Sequence, residues 1–208
     1  FQREKIPVLI GTQMVAKGLN LPEVTLVGVL DADLSLYTGG YRAGETTFNM
    51  LTQVVGRAGR GDAEGRAVIQ TLVPEHQVIK LAASQNYDGF YNLEIQLRQM
   101  QNAPPFGDIA TVTFIGQEET AVLRGGAKFR DSLNSCLRQE AYREERCTVL
   151  GPASCVVPKI NYHFRYQLTL RCRMTKSLRL LLSYLLREFS KDKANRGVNA
   201  YVDVNGYD

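Results

Sequence analysis

The chain has only two histidines, and none of its four cysteines, Cys136, Cys147, Cys155 and Cys172, stands in a Cys-x-x-Cys pair. Structural zinc is held by closely spaced ligand pairs, so no zinc site is expected from this chain alone. Reduced, mainly structural thiols are the pattern of a cytoplasmic protein. No Gly-x-x-x-x-Gly-Lys-Ser/Thr occurs anywhere. A triphosphate cradle needs successive backbone N–H groups at a helix start together with a lysine, and no segment supplies both. An Asp-Glu-x-His block after a strand is missing too. Apolar runs fall far short of a bilayer span and no signal peptide precedes them, so a membrane partner is not expected. The first residue is Phe1 and a strand-like apolar run starts at Ile6. From this we expect the C-terminal piece of a longer protein.

The 208 residues, 44% of them hydrophobic, suffice for one or two domains with a core. The net charge of +4 conceals an asymmetry: residues 1–103 carry 9 Lys/Arg against 10 Asp/Glu, and residues 104–208 carry 16 against 11. The basic half is therefore the better candidate for meeting phosphates, although a mild surplus is also common on ordinary domains.

Ile6 to Ile10 and Val24 to Leu30 are near-continuous apolar runs, as strands buried on both faces of a parallel sheet read. Thr46 to Val55 reads as a helix and Ala67 to Leu72 as a third strand. Pro74 opens a long helix, with Ile79, Ala83, Phe90, Leu93, Leu97 and Met100 at helical spacing. Ala103-Pro104-Pro105-Phe106-Gly107 ends it and marks a boundary. The expected divisions are 1–73, a connecting helix over 74–103, and a domain over 104–208. In the last of these, Ala110, Val112 and Phe114 alternate with polar residues as in a half-buried strand. A helix from Glu118 is weakened by Gly125-Gly126. Tyr162 to Cys172 predicts a strand with Tyr162, Phe164, Tyr166, Leu168, Leu170 and Cys172 on an apolar face and His163, Arg165, Arg171 and then Arg173 on a basic one. Leu178, Leu181, Leu182, Leu185, Leu186 and Phe189 form a helical stripe, and Val198, Ala200, Val202 and Val204 share one face of a last strand. This order predicts a small α+β domain with helices on one face of its sheet.

Chemistry concentrates in two glycine-containing blocks. Arg57 and Arg60 are three apart and would project to one side of a helix, with Gly56 and Gly59 leaving room for a nucleotide or another lobe. A guanidinium is always charged and matches phosphate oxygens, so the pair are candidate catalytic contacts to a γ-phosphate. The alternative is a solvated glycine-rich loop. Thr12, Gln13, Lys17 and Gly18 follow the C-terminal end of a strand, where open α/β sheets place ligands. Asp31 and Asp33 could pair on a metal, but sheet-end carboxylates capping the turn that follows are the favoured reading. Tyr162, Phe164 and Tyr166 could stack on bases, but they share a face with Leu168 and Leu170, which favours packing. Arg165 and Arg171 are the more credible DNA contacts, against the alternative of an ordinary solvated strand face.

Gly11-Thr12-Gln13-Met14-Val15-Ala16-Lys17-Gly18-Leu19-Asn20-Leu21-Pro22, followed by Gln53-Val54-Val55-Gly56-Arg57-Ala58-Gly59-Arg60-Gly61, resembles motifs V and VI of superfamily 2 helicases in order and spacing. The resemblance implies that Thr12, Gln13 and Lys17 meet DNA and that Gly18, Asn20, Gln53 and Gly56 lie on the nucleotide side, with Asn20 standing where an aspartate is usual. Leu30-Asp31-Ala32-Asp33-Leu34-Ser35-Leu36-Tyr37, Thr71-Leu72-Val73-Pro74-Glu75-His76, Pro104-Pro105-Phe106-Gly107, Leu150-Gly151-Pro152-Ala153 and Phe164-Arg165-Tyr166-Gln167-Leu168 narrow it further. Together they resemble the primosomal protein N′ (PriA) family of replication-restart helicases along essentially the whole chain.

That resemblance implies an α/β chain: part of a RecA-like helicase lobe followed by a small α+β C-terminal domain. It implies a bacterial, cytoplasmic, ATP-dependent 3′-to-5′ DNA helicase acting at stalled forks, with ATP and Mg held in a site shared with a lobe outside this chain. Zinc belongs to the family but not to these residues. The implied partners are forked and single-stranded DNA, single-stranded DNA-binding protein through its acidic tail, and other primosome proteins. The chain alone is expected to be inactive as an ATPase. The alternatives are a non-catalytic module that docks DNA or protein, and an excision-repair helicase-like subunit.

Overall fold

The computed structural model describes residues 7–12, 24–38, 40–56, 58 and 65–206. The chain forms two compact units, residues 1–97 and 98–207.

In the first unit β1 (Leu26–Val29) and β2 (Arg66–Ile69) pair in parallel, from Leu26↔Arg66 to Val29↔Ile69. Between them run α1 (Leu34–Tyr37) and α2 (Ala43–Val55); α3 (Gln77–Ala83) and α4 (Tyr87–Met100) follow. Thr47, Phe48 and Leu51 are the buried residues of α2, close to i, i+4 spacing on one face. Phe48 and Leu51 join Ala32, Val78, Ile79, Ala82 and Phe90 in a small core, in which the rings of Phe48 and Phe90 stack at 4.1 Å. The Thr47 hydroxyl donates to the Ala43 carbonyl at 2.8 Å and lies 2.9 Å from the Ser35 hydroxyl, in hydrogen-bond contact that links α2 to α1.

Two expectations change here. Pro7 to Thr12 carry no strand, and Ile6 lies outside the described residues. The long helix expected from Pro74 is instead two helices. Gln85 has φ +51 and accepts the left-handed position, while the N–H groups of Gln85 and Asn86 donate to the carbonyls of Ala82 and Leu81. That is a Schellman closure of α3. Asn86 then caps α4 by accepting from the Gly89 N–H at 2.8 Å. The apolar periodicity runs through the break unbroken, which is why it reads as one helix.

The second unit follows the order β3 (Asp108–Gly116), α5 (Glu119–Leu137), β4 (Cys147–Ile160), β5 (His163–Cys172), α6 (Lys176–Lys191) and β6 (Val198–Val204). Its four strands are antiparallel neighbours in the order β4-β5-β3-β6. This is the split βαββαβ arrangement, the α+β domain expected. Ala110, Val112 and Phe114 of β3, Leu168, Leu170 and Cys172 of β5, and Val198 of β6 meet Val122, Phe129 and Leu133 of α5 and Leu178, Leu181, Leu182, Leu185 and Phe189 of α6.

Gly125 and Gly126 do not break α5. A Cβ on Gly125 would lie 3.1 Å from the Phe189 ring, and one on Gly126 3.3 Å from Pro152 and 3.4 Å from Phe114. The glycines let the helix settle on the cluster of Phe114, Phe129 and Phe189, whose centroids are 5.5 to 6.1 Å apart. The propensity cost of about 1 kcal/mol per glycine is offset by that packing. Thr175 caps α6 by accepting from the Leu178 N–H at 3.0 Å.

Candidate nucleic-acid interface

With the helices on one face of the four-stranded sheet, the other face is built from the odd-numbered residues of β5. Arg165, Gln167, Thr169 and Arg171 lie opposite Ile115, Thr113, Thr111 and Ile109 of β3. β6 adds Asn199, Tyr201 and Asp203, opposite Ile115, Thr113 and Thr111. Arg171 is exposed and also faces Thr148 of β4, whereas Arg165 is half-buried. At about 3.4 Å per residue the two arginines stand about 20 Å apart along one strand, with Gln167 and Thr169 between them. The face thus offers two separated guanidinium groups, a row of uncharged hydrogen-bonding side chains, and an aromatic ring (Tyr201) that is 44% exposed. Such a surface can contact phosphates at two points and stack on an unpaired base between or beside them. Asp203, at one corner, is the acidic exception.

Tyr201 and Asn199 are the members that sequence reasoning did not single out. The signal was present: they occupy the alternate positions to Val198, Ala200 and Val202 on a half-buried strand. Tyr162 moves in the opposite sense. Rather than continuing the apolar face of β5, it forms with Asn161 the two-residue turn from β4 to β5, with φ values of +64 and +48, and is 85% exposed. A two-residue hairpin of this kind requires positive φ at both central residues. Phe164 and Tyr166 remain on the packed side, and the Tyr166 hydroxyl donates to Glu119 at 2.6 Å, which pushes its pKa up.

Of the glycine-block residues, Gln13, Lys17, Gly18, Asn20, Arg57 and Arg60 lie outside the described residues. Thr12 is exposed. Gln53 is exposed on the last full turn of α2, and the Gly56 N–H closes that helix by donating to the Thr52 carbonyl at 2.9 Å. The Gln53 amide is thus free of the core.

Asp33 does not form a metal pair with Asp31. Its carboxylate accepts from the Thr71 hydroxyl at 2.6 Å and from the Leu72 N–H at 2.8 Å, tying the segment after β1 to the end of β2. These bonds, the Thr71 hydroxyl first, hold its carboxyl below the usual carboxylate range. Among the described residues no three His, Cys, Asp or Glu side chains gather as metal ligands, and no helix is long and apolar enough to cross a membrane. On the helical side of the second unit, α5 and α6 border an open groove of about 770 Å³ with Arg124, Lys128, Asp131, Tyr184 and Glu188 on its walls. Its charges are mixed, and Lys128 is engaged by Asp192.

Residues 99–207 match the family model described as the primosomal protein N C-terminal domain, and residues 1–62 match the helicase conserved C-terminal domain. The chain is 36% identical over 207 residues to the replication restart protein PriA of Bacillus subtilis, a match covering 100% of this chain and 25% of that protein. The PriA of a Synechocystis species is 39% identical over 171 residues, 82% of this chain and 20% of its own length. That of Borreliella burgdorferi is 30% identical over 207 residues, 100% of this chain and 30% of its own length. The chain therefore spans about a quarter of the length of these relatives. With the split βαββαβ domain matched over its full extent and a helicase segment preceding it, the chain belongs to the family of the primosomal protein N C-terminal domain.

Proposed function

We propose that this chain is the C-terminal part of an ATP-dependent 3′-to-5′ DNA helicase that restarts replication at stalled forks and assembles the primosome there. The observation that carries this reading is the order of the two family matches along one chain, helicase segment first and primosomal domain second. ATP with Mg would be shared with a lobe outside these residues. Arg57 and Arg60 would meet the γ-phosphate, with Gly18, Asn20, Gln53 and Gly56 on the nucleotide side. When bound, the nucleotide supplies the phosphoryl group whose transfer drives translocation; the arginines supply fixed positive charge where negative charge builds.

DNA would be met by Thr12, Gln13 and Lys17 in the motor and by Arg165 and Arg171 on the open sheet face. Single-stranded DNA-binding protein, through its acidic tail, and other primosome proteins are the expected protein partners, in a bacterial cytoplasm. Zinc would be held elsewhere in the full-length protein. For the chain by itself a second reading has support: with a sheet face of two arginines, Tyr201 and hydrogen-bonding side chains, it serves as a docking platform and performs no hydrolysis.

The test is Arg60→Ala in the full-length protein. DNA-stimulated ATP hydrolysis is expected to fall by about 10³-fold or more while DNA affinity is kept. Normal turnover in that variant would overturn the assignment of Arg60.

A further inference from the structure

Two of the four cysteines face each other across the β4–β5 pair. Cys147, the first residue of β4, is the register partner of Cys172, the last residue of β5. Cys172 is 1% exposed and belongs to the core, and the half-buried Cys147 packs against the same core. Each thiol shifts the pKa of the other, as close neighbours do. We propose that Cys147 and Cys172 form a reversible dithiol–disulfide site, oxidised by low-molecular-weight disulfides of the glutathione type, that staples the start of strand β4 to β5. The inference stands apart from the proposed function.

Residues directly opposed in an antiparallel pair have Cα atoms about 4.5 to 5.5 Å apart, inside the range of about 4.4 to 6.8 Å that a disulfide spans. Their Cβ atoms, about 4.5 to 5.5 Å apart, must close slightly to reach the usual separation of about 3.8 Å. That small closure favours a bond that is reducible over one that is permanent. It is open to this pair because β4 is the outermost strand, and its pairing with β5 runs regularly only from Cys147 to Leu150 before the first register shift. Cys155 lies within the second irregular stretch of β4 and Cys136 lies on α5, so neither has a cysteine as its register partner.

The two thiols have different roles. Cys147 is accessible from the edge, and the Cys172 S–H holds its pKa below the usual cysteine value. Cys172 is shut in, and the neighbouring Cys147, together with burial, pushes its pKa up. The Cys147 thiolate therefore attacks one sulfur of the small disulfide, forming a mixed disulfide and releasing one small thiolate. Cys172 then attacks the Cys147 sulfur, its proton passing to the second small thiolate as that group is displaced. Two protein thiols lose two electrons in total, and one small disulfide becomes two thiols.

The test is to equilibrate the intact full-length protein in glutathione buffers of rising oxidised fraction, quench with acid, and map its disulfides by mass spectrometry. We expect a peptide pair linked through Cys147 and Cys172, reversed by dithiothreitol, with a higher melting temperature in the oxidised form. Cys172→Ala should leave Cys147 trapped as the glutathione mixed disulfide, and Cys147→Ser should leave Cys172 unmodified. If the Cys172 variant does not fold, the wild-type map and Cys147→Ser decide. A wild-type protein in which Cys147 stays reduced, stops at the mixed disulfide, or links to Cys136 or Cys155 would overturn the proposal.

Discussion

The two units solve the same problem with different completeness. The second buries the inward face of its two central strands, β3 and β5: Ala110, Val112, Phe114, Leu168 and Leu170 are all 0% exposed. The first has strands of equally apolar sequence, yet Leu26 is 63% and Val68 58% exposed. A parallel sheet is covered by helices on both faces and continued by further strands, and these come from distant parts of a chain. A split βαββαβ domain gathers its cover from its own two helices. The two units thus differ in how much of their apolar strand surface the described residues cover.

The sharpest way to break the comparison is to remove the centre of the self-contained core. Phe114→Ala deletes a fully buried ring from the cluster with Phe129 and Phe189, and should destabilise the second unit by about 3 to 5 kcal/mol in denaturant unfolding. A loss under about 1 kcal/mol would mean that this core is not what holds the unit.

A smaller effect comes from the pin that joins the ends of that domain. The Asp108 carboxylate accepts from the Met174 N–H at 2.8 Å and from the Asn205 amide at 2.7 Å, while the Asn205 side-chain oxygen accepts from the Ile109 N–H at 2.9 Å. The Met174 N–H above all, then the Asn205 amide, holds the Asp108 carboxyl below its usual range. A pKa depressed on folding gives stability that is complete above the ordinary carboxylate value and is lost as pH falls through the folded value. Asp108→Asn should therefore lose about 1 kcal/mol at neutral pH, allowing for solvent screening, and flatten the acid limb of the stability curve. An unchanged acid limb, read by chemical unfolding from neutral pH to below the carboxylate range, would count against the pin.

The smallest effect lies in the first unit. Val68→Thr on β2 should change the stability of this chain by no more than about 0.5 kcal/mol, since the side chain is mostly in solvent. In the full-length protein, where we expect further elements to cover that face, the same change should cost about 1 kcal/mol or more. Equal small effects in both would leave the exposed valine without that explanation.

The second unit was the more legible in sequence for the same reason. Alternation over β3, β5 and β6 and the leucine stripe of α6 are local signals, and they placed Arg165 and Arg171 on the face opposite the core. Tyr162 misled because alternation carries no warning of a turn when tyrosine occupies a left-handed position usually held by asparagine or glycine. Gly125-Gly126 read as a weakness because propensity is visible in sequence, whereas the Phe189 and Phe114 rings that the glycines admit come from distant strands and helices. In the first unit Gln85 hid a helix end, glutamine being an uncommon residue at a left-handed cap. The roles of Arg57 and Arg60 rested on motif resemblance, and both lie outside the described residues.

The most direct test of the functional account is binding of the full-length protein and its Arg165→Ala/Arg171→Ala variant to a labelled model fork across a range of salt concentrations. The account predicts weaker binding in the variant and a salt dependence shallower by about one to two phosphate contacts, with the protein's fold unchanged. Identical affinity and identical salt slope for the two proteins would contradict the assignment of the open sheet face to DNA.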